Sequence, residues 1–152
     1  MEDLMNSDIL NLIVFPVLYF NKYSFYVVND VDSLTRSTKA GLNNGVFDNL
    51  EIVDSSGRYF KVTEARKIGG IGFANGFNIF LNQKIRVELT FSKEIIDIHL
   101  EKIRIKLMKI INRDRYLWES GGYFDELMNI VESSKSIDLL ISEIGFIINK
   151  KF

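Results

Sequence analysis

The hydrophobic pattern of the chain changes its period near Ser92, and this change constrains the fold more than any other feature of the sequence. Before that residue, apolar side chains alternate with polar ones, at Ile85, Val87, Leu89 and Phe91. An alternation of this kind is typical of a half-buried antiparallel strand, which we place at residues 77–91.

After Ser92 the apolar side chains recur at steps of four and three residues, at Ile96, Leu100, Ile103, Leu107 and Ile110. Those steps predict an amphipathic helix over about residues 93–113. Ser92 is its predicted N-cap, and Glu94 follows in the first turn, near the positive end of the helix dipole.

Strands dominate the first half of the chain. The predicted strands there cover residues 9–20, 23–28, 50–54 and 58–68. Pro16 cannot donate to a strand ladder, so we expect the first strand to lie at an edge or to carry a bulge. Asn21-Lys22 and Ser55-Ser56-Gly57 are turn sequences, and each predicts a hairpin between its flanking strands.

Three further helices are predicted. Asp30 or Asp32 caps a short helix that runs to about Leu42 and ends before Asn43-Asn44-Gly45. A second covers residues 123–132, and a third starts at a Ser136 cap.

The order of these elements predicts an α+β fold. Strands come first and helices last, so we expect an antiparallel sheet of five to six strands, formed mainly by the N-terminal two-thirds. The long helix, at about 93–113, and the C-terminal helices cover one face of that sheet. A length of 152 residues favours a single domain over residues 1–152.

Composition limits the chemistry of the chain. Cysteine is absent, which excludes a disulfide, a thiolate zinc site and a cysteine nucleophile. His99 is the one histidine and is predicted to sit at the boundary of the packed helix. We therefore expect no metal site and no cofactor. Catalysis by two carboxylates remains the route to an enzyme, but no pair stands out, and we predict a non-catalytic protein.

The targeting features of the sequence predict a cytoplasmic protein with no membrane partner. The longest apolar run, residues 9–20, is shorter than the roughly 20 residues of a spanning helix. The acidic residues near the N-terminus are not typical of a signal peptide.

A glycine-rich stretch, with Gly69, Gly70, Gly72 and Gly76, misses the dinucleotide-binding pattern because Asn75 occupies one glycine position. It also leads into a strand, whereas phosphate cradles lead into a helix. We interpret it as a mobile loop or a sheet corner. Trp118 and Tyr123, on either side of Gly121-Gly122, are interpreted as core residues.

Charge is distributed unevenly, and an acidic cluster lies in the first third of the chain. Its members are Asp30, Asp32, Asp48, Glu51 and Asp54. Helix capping and turn formation account for Asp30, Asp32 and Asp54. The alternative is an acidic docking face that steers a basic protein partner.

A basic stripe lies on the long helix, within residues 102–115. Its members are Lys102, Lys106, Lys109 and Arg113. Such a stripe can neutralise phosphates, and Tyr116 and Trp118 can stack on bases. Nucleic-acid binding is therefore the alternative function, although a sequence pI of about 5.9 is low for that class. A solvated helix face is the simpler interpretation.

Three features together resemble the small immunity proteins that are encoded beside bacterial polymorphic or contact-dependent toxins. They are the polar hairpin Asp54-Ser55-Ser56-Gly57-Arg58-Tyr59-Phe60-Lys61-Val62, the long strand at 77–91 and the amphipathic helix that follows. The resemblance implies a cytoplasmic inhibitor that occludes the active site or the substrate-binding face of a cognate toxin. A basic nuclease toxin suits the acidic cluster.

Overall fold

The computed structural model describes residues 6–71 and 83–151. The helices are α1 (Asn6–Leu12), α2 (Val31–Leu34), α3 (Lys39–Asn43), α4 (Leu100–Arg113), α5 (Arg115–Ser120), α6 (Phe124–Ser133) and α7 (Ile137–Lys151). The strands are β1 (Val17–Phe20), β2 (Phe25–Val28), β3 (Arg36–Thr38), β4 (Glu51–Asp54), β5 (Arg58–Gly70), β6 (Lys84–Phe91) and β7 (Ile96–Asp97). The fold is α+β, as predicted.

All strand pairs in the described ranges are antiparallel, and the sheet order is β2-β1-β4-β5-β6-β3, with β7 also paired to β5. Both predicted hairpins are confirmed: Phe20 pairs with Phe25, and Val53 pairs with Tyr59. The alternation that leads into the long helix is confirmed over β6, where Ile85, Val87, Leu89 and Phe91 are buried. The remainder of the predicted strand 77–91 and the end of the glycine-rich stretch lie outside the described residues.

Strand β5 is long and joins two parts of the sheet. Its first residues pair with β4 and β7, and the stretch from Val62 to Gly70 pairs with β6. Its register against β6 shifts between Val62 and Glu64 and again between Lys67 and Gly69. Such irregularities increase the local bend of a strand, and the sheet curls accordingly.

The curled sheet has a hydrophobic core on each face. On one face, Leu18, Phe20 and Val53 pack against helices α4 to α7, together with Trp118, which stacks on Phe25 at 5.7 Å between ring centroids. Trp118 is thus a core residue, as predicted. The second core lies on the opposite face, and we call it the inner core; it includes Ile9, Val17, Ile52, Phe60, Val62 and the buried residues of β6.

The prediction of one strand over residues 9–20 is wrong in its first half. Residues up to Leu12 form helix α1, which buries Ile9 in the inner core. Pro16 precedes strand β1, which lies between β2 and β4 and not at an edge. Both faces of β1 are covered, so its apolar side chains do not alternate with polar ones.

The prediction of one helix from Asp30 to about Leu42 is also wrong. A three-residue strand, β3, separates α2 from α3 and pairs with β6 as the last strand of the sheet. Asp30 caps α2, with its carboxylate accepting from the backbone N–H of Ser33 at 2.7 Å. The Thr38 hydroxyl caps α3 in the same way. Pairing with β6 thus overrides the helical pattern.

The long helix begins later than the predicted residue 93. Ile96 and Asp97 form β7 against β5, and the backbone N–H of Ile98 donates to Gly57. Helix α4 therefore starts at Leu100, with His99 at its N-cap and exposed. The predictions of a helix near 123–132 and of a last helix after Ser136 are confirmed by α6 and α7.

The N-terminus of α4 offers a test of this boundary. His99 has an extended backbone but makes no side-chain cap hydrogen bond. We expect His99→Ser to stabilise the protein by about 0.5–1 kcal/mol, because serine accepts from an otherwise unbonded N–H in the first turn. The midpoint of thermal unfolding should rise by about 1–4 °C. His99→Ala is the control and should give no increase; an equal gain in both variants would contradict the boundary at Leu100.

Candidate functional site

A cavity of about 440 Å³ lies between helix α4 and the sheet. We call it the lysine cavity. Its apolar walls come from β1, β4, β5, β7 and α4, namely Phe20, Val53, Tyr59, Ile96, Ile98, Ile103 and Ile105. Phe20, Val53 and Ile103 are fully buried, whereas Ile96 and Ile105 are exposed at the mouth.

Four charged side chains also line the lysine cavity: Glu51, Lys102, Lys106 and Lys109. Glu51 accepts a hydrogen bond of 2.6 Å from the Tyr59 hydroxyl on one carboxylate oxygen and forms an ion pair with Lys106 through the other. The Lys106 ammonium lies 4.6 Å from the centroid of the Phe20 ring. Tyr59, Glu51 and Lys106 thus form one connected polar chain on an apolar wall.

Burial perturbs the two ends of this chain. It lowers the pKa of the Lys106 ammonium, since desolvation disfavours the charged form. It raises the pKa of the Tyr59 hydroxyl for the same reason. Both side chains are partly buried, and a charge interacts more strongly with its neighbours there than at the exposed surface.

The predicted basic stripe is divided between this cavity and the surface. Arg113 forms an ion pair with Asp114 and donates to the Tyr23 carbonyl, and Lys106 is held by Glu51. Lys102 and Lys109 are exposed, and neither takes part in the ion pairs found within residues 6–71 and 83–151. The four residues thus do not act as a uniform row of unpaired charges.

A second concavity, about 540 Å³ and open to solvent, lies between the β1–β2 hairpin and the α2–β3–α3 segment. We call it the tyrosine cleft. Tyr19 and Tyr26 line it in an edge-to-face pair, with ring centroids 5.6 Å apart. Tyr26 is 44% exposed, and Arg36 and Lys84 contribute positive charge to the lining.

Three members of the acidic cluster lie close in sequence to residues that line the tyrosine cleft, and we call these three the border acids. Asp30 and Asp32 flank or lie in α2, whose Ser33 lines the cleft, and Asp48 directly follows the lining residue Phe47. All three acids are exposed.

These three carboxylates also have partners on the same chain. The backbone N–H and the hydroxyl of Ser33 hold the pKa of Asp30 below its usual value. Asp32 pairs with Arg36 and with Arg86, and Asp48 lies 3.8 Å from the Lys22 ammonium. The acids therefore form a mixed-charge border and not a uniformly negative face.

The two remaining members lie elsewhere. Glu51 belongs to the lysine cavity, and Asp54 is fully buried. Asp54 accepts hydrogen bonds from the backbone N–H groups of Val14, Ser56 and Arg58, at 2.9–3.1 Å, and from the Arg58 guanidinium. The Arg58 guanidinium also donates to the Leu12 carbonyl. Asp54 thus ties the β4–β5 turn to the segment that links α1 to β1.

The sequence alone predicted neither the lysine cavity nor the tyrosine cleft. The lysines and Glu51 were assigned to two different clusters, and only the packing of α4 on β4 brings Glu51 and Lys106 together. One available signal was Tyr59, which the strand pattern places on the opposite face from Phe60, toward the helices.

Compared with models of protein families, with curated proteins and with solved structures, the chain has no significant match. Among the described residues, no three His, Cys, Asp or Glu side chains are grouped to hold a metal ion. Within the same residues, no helix is both long enough and apolar enough to cross a membrane.

The role of Asp54 can be measured by urea unfolding. We expect Asp54→Ala to lower the free energy of unfolding by about 3 kcal/mol, because three N–H groups and part of the Arg58 charge lose their acceptor. Asp54→Asn retains one acceptor oxygen and should lose about half as much. Glu132→Ala, an exposed carboxylate on α6, is the control and should stay within about 0.5 kcal/mol. A loss below about 1 kcal/mol for Asp54→Ala would assign this carboxylate no structural role.

Proposed function

We propose that the protein is a cytoplasmic, non-catalytic protein-binding module that resembles a bacterial immunity protein and inhibits a cognate protein toxin. Inhibition occurs by occlusion: the module covers the active site or the substrate-binding face of the toxin. The docking surface in this proposal is the tyrosine cleft.

The observation that supports this proposal is the arrangement of side chains at the cleft. The exposed Tyr26 lines an open apolar groove, Arg36 and Lys84 line the same groove, and Asp32 pairs with Arg36 beside it. Protein interfaces commonly have this anatomy, with an aromatic centre and a polar rim. Tyrosine is also enriched among the residues that contribute most to binding energy.

The charges at the border are expected to act on the rate of association and only moderately. Asp32 and Asp48 have cationic partners on the same chain, so their fields are partly cancelled. Charges at an interface rim affect the association rate, whereas an anchoring aromatic residue affects dissociation. The two contributions can therefore be measured separately.

The anchor is tested with the product of the neighbouring open reading frame, co-expressed with this protein and purified as the complex. Tyr26→Ala should weaken that complex about tenfold or more, mainly through faster dissociation in surface plasmon resonance. Tyr116→Ala is the matched control: Tyr116 is 86% exposed and lies outside the cleft, so affinity should be unchanged. If no stoichiometric complex forms, or if the two variants lose affinity equally, the proposal is wrong.

The border charges are tested with the double variant Asp30→Asn and Asp48→Asn. Asparagine at position 30 still caps the helix, so only charge is removed. We expect association at low salt to slow about threefold with little change in dissociation. The control removes two exposed carboxylates from α6, by Glu126→Gln and Glu132→Gln. Equal slowing in both double variants would indicate an effect of net charge and not of the cleft.

Nucleic-acid binding is the alternative function, and it is supported by Lys102 and Lys109, which form no ion pair within residues 6–71 and 83–151. It requires an affinity for duplex DNA or RNA that falls steeply with salt, because phosphate neutralisation releases counterions. Salt-dependent binding of a duplex oligonucleotide that Lys102→Gln and Lys109→Gln abolish, without any protein complex, would favour this alternative.

A further inference from the structure

We infer that the lysine cavity is a binding site for a small amphipathic anion, a molecule with an apolar acyl or aryl body and one carboxylate head. This inference is independent of the proposed protein partner, which docks at the tyrosine cleft.

The size and walls of the cavity suit the apolar body. Its volume of about 440 Å³ lies within the range of roughly 300–1,000 Å³ that is common for small-molecule sites. The inner wall is formed by buried residues such as Phe20 and Ile103, and Ile96 and Ile105 continue it to the mouth. An apolar body there removes the exposed surface of those two isoleucines from water.

The charges of the cavity suit an anionic head. Lys102, Lys106 and Lys109 are spaced four and three residues apart, so they lie on one face of α4. They oppose a single carboxylate, that of Glu51. Because Glu51 is already engaged by Tyr59 and Lys106, the ammonium groups of Lys102 and Lys109 are the ones that can bind a further anion.

The other basic residues of α4 argue against a merely solvated helix face. Arg104 donates to Glu101 and to the carbonyl groups of Val131 and Ser134, and Arg113 pairs with Asp114. The basic side chains of α4 that point away from the cavity are thus satisfied by the chain itself. Lys102 and Lys109 line the cavity without such a partner among the described residues.

The partial burial of this site strengthens its contact with a bound carboxylate. Lys106 is partly buried at the wall, and burial lowers the pKa of its ammonium because desolvation disfavours the charged form. In such surroundings an ammonium–carboxylate contact is stronger than at an exposed surface. The apolar body excludes water from the same region and so strengthens the contact further.

The test titrates decanoate into the full-length protein by isothermal calorimetry, with decanol as the uncharged counterpart of matching length. The isoleucine methyl groups, observed by NMR, locate the bound molecule. We expect saturable binding of one decanoate per chain, with shifts at Ile98 and Ile103. Decanol should bind about tenfold more weakly or not at all, since it lacks the charge.

The variants assign the head group. Lys102→Gln with Lys109→Gln should weaken decanoate binding about tenfold, and both residues are exposed, so folding is retained. The control, Lys135→Gln with Lys150→Gln, removes the same charge from residues outside the cavity and should change affinity less than about twofold. Ile105→Glu, at a position that is 62% exposed, places a negative charge at the mouth and should also weaken binding.

Three results would overturn the inference. They are the absence of saturable decanoate binding, equal binding of decanoate and decanol, and full decanoate affinity in the variant that lacks both lysines. None of these results bears on the binding of a protein partner at the tyrosine cleft, because none of the substituted residues lines that cleft.

Discussion

The course of strand β5 is the constraint on which the rest of the structure depends. It begins in the part of the sheet that the C-terminal helices cover and ends in the part that pairs with β6. Its register shifts bend the sheet, and the alternation of side chains along it places Phe60 and Val62 in the inner core and Tyr59 against the helices. Two cores result, and each of the two concavities lies at the margin of one of them.

The fold class could be predicted because the change of period near Ser92 separates a strand region from a helical region. The hairpins followed from their turn sequences, and β6 followed from its alternation. The error over residues 9–20 arises because this run is mostly apolar and β1 is covered on both faces, so no alternation marks the strand. The division into α1 and β1 depends on packing in the inner core, which a single sequence pattern does not reveal. Strand β3 and strand β7 are short additions that the sheet imposes on segments with helical spacing.

The candidate sites were less predictable than the fold, because sequence proximity was a poor guide to shared position. Asp30, Asp32 and Asp48 lie close in sequence to residues of one cleft, whereas Glu51 and Asp54, at opposite ends of β4, lie in the lysine cavity and in a buried turn. Asp54 lies in a turn sequence, and its carboxylate has a structural role. It accepts hydrogen bonds from three backbone N–H groups, one of which belongs to the neighbouring segment. The sequence predicted the basic stripe on α4, but it did not predict the apolar cavity wall that faces these lysines.

The Glu51–Lys106 pair is the feature that the fold alone explains least. A partly buried ion pair contributes little to stability, because desolvation offsets the attraction between its charges, and apolar residues in its place are often at least as stable. The chain has twelve phenylalanines, and buried apolar side chains fill its two cores. Apolar residues could fill the space around this ion pair in the same way. It retains instead a cavity, a polar chain along the cavity wall and two lysines without ion partners among the described residues. A cavity and a partly buried ion pair reduce packing without adding stability, and such features are expected at binding sites. The cavity and its two lysines concern one volume, and this is the volume that the proposed amphipathic anion fills.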